Sequence, residues 1–238
     1  MKTIIFAAGQ GTRLRPYTDT TQKSMLLIKG KPVLEHILLY LKKFGIKDVL
    51  IATNYKEEQI MNYFKDGKNL GINIIYRHTS GGTTNSDNLI NFKDLLKEDE
   101  SFLVHYGDTF ANINIKKLID FHQKHPDSIV TLVGHHGLKS PHGILEVDLG
   151  GYLNKFLDKP IIPILIHCPI FVYRKTIFDH IKHPEVIETH TLPRLVSLPK
   201  KMCVYQEPNT FYYDVGTVSE YERLKDDFPL DEYFGKNN

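Results

Sequence analysis

The chain has 238 residues, 41% of them hydrophobic, with 30 Lys and Arg against 28 Asp and Glu for a formal net charge of +2. That length can bury a substantial core, and one domain spanning 1–238 is expected because nothing resembling a linker interrupts it. The near balance of charge excludes the broad basic footprint of a nucleic-acid binder, and no apolar run reaches the roughly eighteen residues of a membrane span.

Lys2–Phe6 is a β-branched and aromatic run that breaks into Ala7, Ala8, Gly9 and Gly11. It is the pattern of a buried strand entering a tight loop that a ligand can approach closely. Arg13, Arg15, Lys23, Lys29 and Lys31 follow, with Asp19 as the sole acidic residue among them. Bare amides and several cations in one segment suit a polyphosphate. Two familiar phosphate loops are excluded by missing residues. A dinucleotide loop needs a third glycine where Leu14 stands, and a P-loop needs Gly-Lys-Ser/Thr where Gly11 is followed by Thr12, Arg13 and Leu14. A glycine turn with surface cations remains the alternative for the two glycines taken alone.

Val33–Phe44 carries apolar residues at helical spacing ahead of Gly45, and Asp48–Ala52 reads as a strand. Asn54 with Glu57 has the form of a cap for a helix over Glu57–Phe64, and Gly71 precedes a strand at Ile72–Tyr76. The polar loop His78–Asn88 then leads to a helix over Leu89–Leu96, a strand at Ser101–His105, a helix at Ile115–His122 and a strand at Ser128–Val133. This alternation predicts an α/β, Rossmann-like three-layer sandwich whose mixed, mostly parallel sheet has its ligand crevice at the carboxyl ends of the strands. Shorter candidates at Ile144–Val147, Tyr152–Phe156 and Ile164–Tyr173 predict a small antiparallel substrate-binding flap. Thr217 and Glu220 have capping-box spacing for a closing helix, Val218–Lys225.

Three charged positions stand out. Asp108, after a strand and a glycine, is placed to hold Mg²⁺ over phosphates, with a turn or cap role as the alternative. Lys159 before Pro160 reads, on its residues alone, as a surface turn lysine. Asp214 has no comparable local role. The pairs His122/His125 and His180/His183 lack the companions of a zinc site. Cys168 and Cys203 lie in separate apolar or mixed runs and read as thiols of a reducing compartment. With too few apolar residues at the N-terminus for a signal peptide, a cytoplasmic location is expected.

The run Gly9-Gln10-Gly11-Thr12-Arg13-Leu14, with Arg15-Pro16, Thr18, Lys23, Met25-Leu26, Lys31-Pro32 and Leu34-Glu35, resembles the opening signature of the sugar-nucleotidyltransferases. These enzymes join a nucleoside triphosphate to a sugar 1-phosphate. The resemblance extends from Ile4 to Tyr221 through the glycine-arginine loop, Lys23, Asp108, Lys159 and Asp214 in order. It implies that Ala7, Gly9, Gly11, Thr12 and Arg13 meet the triphosphate, with Arg13 on the leaving pyrophosphate and Lys23 near the reacting atom. It also implies Gly82 and Thr83 at the nucleoside, Gly143, Asp158, His167 and Glu188 at the sugar, Lys159 on the sugar phosphate, and Asp108 and Asp214 on Mg²⁺.

Departures from the pattern carry their own expectations. Gln22 and Ser24 replace prolines on either side of Lys23, which removes a restraint on φ and implies a less rigid loop. Thr84, Asn85 and Ser86, and likewise His167, Cys168 and Pro169, replace smaller family residues and are expected to coincide with selectivity for triphosphate and sugar respectively. The reaction implied is transfer from a triphosphate, GTP favoured, to a mannose- or heptose-type 1-phosphate, giving an NDP-sugar and pyrophosphate. Neither nucleic acid nor membrane is an expected partner, and a homodimer is the candidate assembly. Cytidylyl transfer to glucose 1-phosphate or a non-sugar phosphate is the alternative, as is a non-catalytic regulatory homologue.

Overall fold

Thr3, Ile4, Ile5 and Ala7 are all buried, the condition of a strand whose sheet is covered on both faces. The computed structural model, which describes residues 1–80 and 84–235, places this segment as β1 (Thr3–Ala7) inside a seven-stranded sheet. Along the chain follow β2 (Leu27–Ile28), β3 (Lys31–Pro32), β4 (Asp48–Thr53), β5 (Asn73–His78), β6 (Ser101–Tyr106) and β7 (Thr109–Ala111). The second half contributes β8 (Val130–Lys139), β9 (Ile144–Val147), β10 (Leu153–Leu157), β11 (Ile161–Arg174), β12 (Met202–Gln206) and β13 (Tyr212–Asp214). The helices are α1 (Tyr17–Thr20), α2 (Val33–Lys43), α3 (Glu57–Phe64), α4 (Asn85–Ile90), α5 (Ile115–Gln123), α6 (Leu192–Val196), α7 (Val218–Asp227) and α8 (Leu230–Phe234).

The sheet order is β12-β8-β11-β6-β1-β4-β5. β1 pairs in parallel with β4 and β6, β4 with β5, and β8 with β12; the antiparallel pairings are those of β11 with β6 and β8. The mixed, mostly parallel α/β sandwich is thus as the alternation of elements predicts. Side chains leave a strand to alternate faces, so Ile5 joins a core with Leu34, Ile37 and Leu41 of α2, while Ile4 joins another with Leu89, Phe92 and Phe102. Each such aliphatic side chain contributes about 1.5–3 kcal/mol by burial. The closing helices are seated by aromatic contacts: Phe228 lies 4.3 Å from Phe110 and Tyr233 stacks 4.2 Å from Tyr40, centroid to centroid.

Two local expectations are corrected. The helix after the rim loop starts at Asn85, because Asp87 accepts from both the amide and the hydroxyl of Thr84, at 2.7 and 3.0 Å, and nucleates a turn the apolar pattern did not signal. Asn54 does not cap α3. Its side chain instead donates to the Thr79 carbonyl beside the rim loop, and Lys56, in a left-handed conformation, precedes the helix.

β8 and β11 run on past the sheet, pairing as far as Lys139 with Ile161, and between them β9 and β10 form the antiparallel flap. Among the described residues no helix is long and apolar enough to cross a membrane.

Candidate active site

The loops that leave β1 and β6 cross at the carboxyl end of the sheet. The Gly107 amide donates to the Phe6 carbonyl at 2.9 Å, and a Cβ on Gly107 would stand 2.9 Å from Ser24 Oγ and 3.0 Å from that carbonyl oxygen. Only glycine lets the two strand ends approach this closely. Above them lies a cleft of about 220 Å³ that brings together Ala7, Gly9, Gly11, Thr12, Arg13, Lys23 and Asp108, all seven expected there from the sequence. Gly11 turns the loop with φ of 63°, and Thr18 Oγ1 donates to its carbonyl at 2.8 Å.

Gln22 corrects the expectation of a looser loop. It is fully buried; its Nε2 donates to the Ala7 carbonyl at 2.8 Å, its Oε1 accepts from the Ser24 amide at 2.5 Å, and its own amide donates to Gln59 Oε1 at 2.8 Å. With φ at −62° it holds the backbone where a proline would, by hydrogen bonds in place of a ring.

The two aspartates meet through a hairpin that the sequence did not signal. β13 pairs antiparallel with β7, setting Asp214 opposite Thr109, and the Val215 amide donates to the Asp108 carbonyl at 2.9 Å. Lys23 Nζ forms an ion pair with Asp108. Burial pushes the Asp214 carboxyl above its usual range, the charge of Asp108 adds to that, and Lys23 and Arg13 pull the other way. A Cβ on Gly216 would lie 2.7 Å from Asp214 Oδ2 and 3.1 Å from Arg13 Nη2, so the guanidinium and the carboxylate converge over that glycine.

Among the described residues no group of three His, Cys, Asp or Glu could hold a metal by protein ligands alone. Two hard carboxylates, Asp214 raised by burial and by the charge of Asp108, fit a cation that takes its other ligands from water and phosphates. His122, buried with Nδ1 2.7 Å from Thr131 Oγ1, is a core histidine.

A second cluster forms where the rim loop meets the turn before α6. The Tyr106 hydroxyl and Asn85 Nδ2 both donate to Glu188, and Asn85 Oδ1 accepts from the Ile187 amide at 2.8 Å. Ser86, fully buried, accepts from the Glu185 amide at 3.1 Å. Ile187–Thr191 is a π-helical turn, a form often found at functional sites. Of the side chains that depart from the resembled pattern, Asn85 and Ser86 are therefore bonded to the Glu185–Glu188 segment. Tyr106, which the sequence reading left without a role, is the bridge. His167 lies 4.8 Å from Phe171 and Phe171 6.3 Å from Tyr106, ring to ring, so His167 and Glu188 stand at two ends of one aromatic row.

Gly143 sits against β10, where a Cβ would be 3.1 Å from the Phe156 ring and 3.6 Å from the Leu157 carbonyl oxygen. Asp158 and Lys159 follow on the next turn, both exposed, Lys159 with φ of 45°. These three residues share the flap and do not line the cleft of Arg13, Lys23 and Asp108. Gly82 and Thr83 lie outside the described residues.

Residues 2–229 match the sequence profile described as Nucleotidyl transferase, and the chain belongs to that family. It is 28% identical over 226 residues to the mannose-1-phosphate guanylyltransferase catalytic subunit beta of Dictyostelium discoideum, covering 93% of this chain and 62% of that protein. The Drosophila melanogaster protein of the same description is 27% identical, covering 92% of this chain and 60% of its own length. The chain thus spans about three fifths of the length of these curated relatives. Its fold is like that of HddC from Yersinia pseudotuberculosis, with a TM-score of 0.72, 21% identity and coverage of 94% of this chain and 97% of that one.

Proposed function

We propose, from membership in the nucleotidyl transferase family, that the chain acts as a single domain that transfers a nucleotidyl group to a sugar 1-phosphate. GTP is the favoured donor, a mannose- or heptose-type 1-phosphate the acceptor, and an NDP-sugar and pyrophosphate the products. The observation that carries this reading is the convergence of Arg13, Lys23 and Asp108 on one cleft at the ends of β1 and β6, with Asp214 beside Arg13 over Gly216 at its edge.

An oxygen of the sugar phosphate must approach the α-phosphorus, anion against anion, in line with the departing pyrophosphate. No protein nucleophile is needed. Gly9 and Gly11 let backbone amides come close to the triphosphate, and Arg13 stabilises the charge that grows on the leaving pyrophosphate. Lys23, held by Asp108, stands beside the reacting phosphoryl group, and Lys159 from the flap meets the sugar phosphate. Asp108 and Asp214 would hold Mg²⁺, which supplies charge neutralisation at the α-phosphoryl oxygens. Glu188, fixed by Tyr106 and Asn85, would accept from sugar hydroxyls.

The test is a panel of four nucleoside triphosphates against several sugar 1-phosphates, read by pyrophosphate release in the presence of Mg²⁺. GTP with mannose 1-phosphate or a heptose 1-phosphate should give the highest rate. Release from no pair in the panel would overturn the reading.

A further inference from the structure

A second cavity, of about 780 Å³, shares no residue with the phosphate cleft. It opens between the turn Lys93–Leu96, just after α4, and the turn Lys175–Asp179, just after β11. Its volume falls in the range of small-molecule sites, about 300–1,000 Å³. Ile90, Leu96 and Phe178 give it an apolar wall. The Phe178 ring is backed by Phe102, 5.8 Å away and nearly parallel, and Lys93 Nζ stands 5.5 Å above it.

The charges on the rim are lopsided. Arg77 is engaged by Asp94 through two hydrogen bonds of 2.7 and 2.6 Å. Lys93, Lys97 and Lys175 have no carboxylate within ion-pair distance among the described residues, and Lys175 Nζ reaches only the Lys97 carbonyl at 3.5 Å. With Asp94 occupied, Asp179 is the remaining acid of the lining against three ammonium groups. Like charges gathered over an aromatic wall repel one another unless an anion joins them, and a planar anion satisfies both the ring and the ammonium groups.

We infer that this cavity is a second nucleotide site, which takes a nucleoside phosphate with its base on the face of Phe178 that the exposed Lys93 side chain now covers, Lys93 swinging aside to join Lys97 and Lys175 around the phosphates. One of its walls comes from the two flanks of the rim loop, Arg77 before it and Ile90 to Lys97 after it. Arg77 in β5 donates to the carbonyl of Asn91, and Asn91 Nδ2 donates to the His78 carbonyl at 3.1 Å. The single short helix α4 joins this fastening to Asn85, which holds Glu188. Occupancy of the cavity therefore bears directly on the segment that shapes the acceptor side.

Fluorescence titration of the full chain with N-methylanthraniloyl-GDP tests this, using Lys93→Glu/Lys97→Glu to reverse the rim charge and Arg13→Ala to weaken the cleft. Both lysines are exposed, so the double variant should fold and keep its pyrophosphate release in the absence of the probe. In the parent, one class of probe binding should be lost or weakened about tenfold or more by the double charge reversal. In Arg13→Ala protein, the probe should slow hydrogen exchange at 90–97 and 175–179, and Phe178→Ala should weaken the same class. Probe binding that the double charge reversal leaves unchanged would overturn the inference, however many equivalents bind.

Discussion

At the cleft between β1 and β6, Ala7, Gln22, Ser24 and Gly107 are buried and joined across strand ends by hydrogen bonds. On the flap, Leu145 and Phe156 are 59% and 60% exposed, and among the described residues β9 pairs only with β10. The cleft would meet the phosphates and the flap the sugar, and the contrast follows from that division. A triphosphate presents the same oxygens whatever base it carries, so the groups that receive it can be locked into the core. A sugar varies between substrates, and residues on an exposed hairpin can change with little effect on stability.

The largest effect that would break this comparison concerns the two carboxylates. Asp108→Asn or Asp214→Asn should lower turnover by about a hundredfold or more, the scale of removing a key electrostatic group from a transition state. Pyrophosphate release at saturating substrates measures it, with thermal unfolding to show that the fold survives. A fully active Asp214→Asn protein would remove the metal assignment and leave the cleft as a mere phosphate cradle.

Next comes stability. Gln22→Ala strands the Ala7 carbonyl and the Ser24 amide in the core, and each buried orphan costs about 1–3 kcal/mol. Phe156→Ser on the flap should change unfolding free energy by no more than about 0.5 kcal/mol, as exposed substitutions usually do. Denaturant midpoints for the two variants sharpen the contrast, and equal shifts would erase it. Gln22→Pro is also informative. It keeps φ but removes the amide that donates to Gln59, so the family's usual residue should not be neutral here.

The fold and the gathering of the glycine loop, Arg13, Lys23 and Asp108 in one cleft were legible because they rest on local signals. β1 announced itself as a doubly buried strand, the glycines followed it, and Asp108 came directly after another strand. Gln22 was misread because its effect depends on Ala7, fifteen residues away, and on Gln59, thirty-seven away. The same holds for Tyr106 and Asn85, whose partner Glu188 is 82 and 103 residues downstream. β12 was missed because Tyr205 is its single buried residue, which leaves no alternation to detect. Residue spacing reports the neighbours a side chain has along one element; it carries nothing about partners delivered by another.

A smaller effect separates the two cations. Arg13→Ala should raise the KM for triphosphate and Lys159→Ala that for sugar 1-phosphate, each by about tenfold, or about 1.4 kcal/mol, with the other KM little changed. Lys159→Ala acting only on the triphosphate would place the flap over the wrong substrate.

The last prediction sets one carboxylate from each side of the crevice against the other by pH. Glu185 is buried and bonded by both guanidinium nitrogens of Arg194, at 2.8 and 2.7 Å, with Thr191 as a further donor, and these hold its carboxyl down to about 2. Its folded pKa is below its unfolded value of 4.5, so it contributes stability above that pH, lost as pH falls from about 4.5 towards 2. Asp214 has the opposite sign. Its folded pKa lies above the ordinary 3.8, chiefly through burial and then through the charge of Asp108, so the native state holds its proton more tightly and stability falls as pH rises through that window. In EDTA, Asp214→Asn should therefore be more stable than the parent at neutral pH and converge with it in acid. Glu185→Gln should be less stable at neutral pH, with the deficit shrinking in acid. Thermal unfolding across pH 2–7 reads both, and Mg²⁺ should reduce the advantage of Asp214→Asn by stabilising the parent. An Asp214→Asn gain that does not depend on pH would mean that the aspartate is held by packing and that its charge is not what the cleft strains to accommodate.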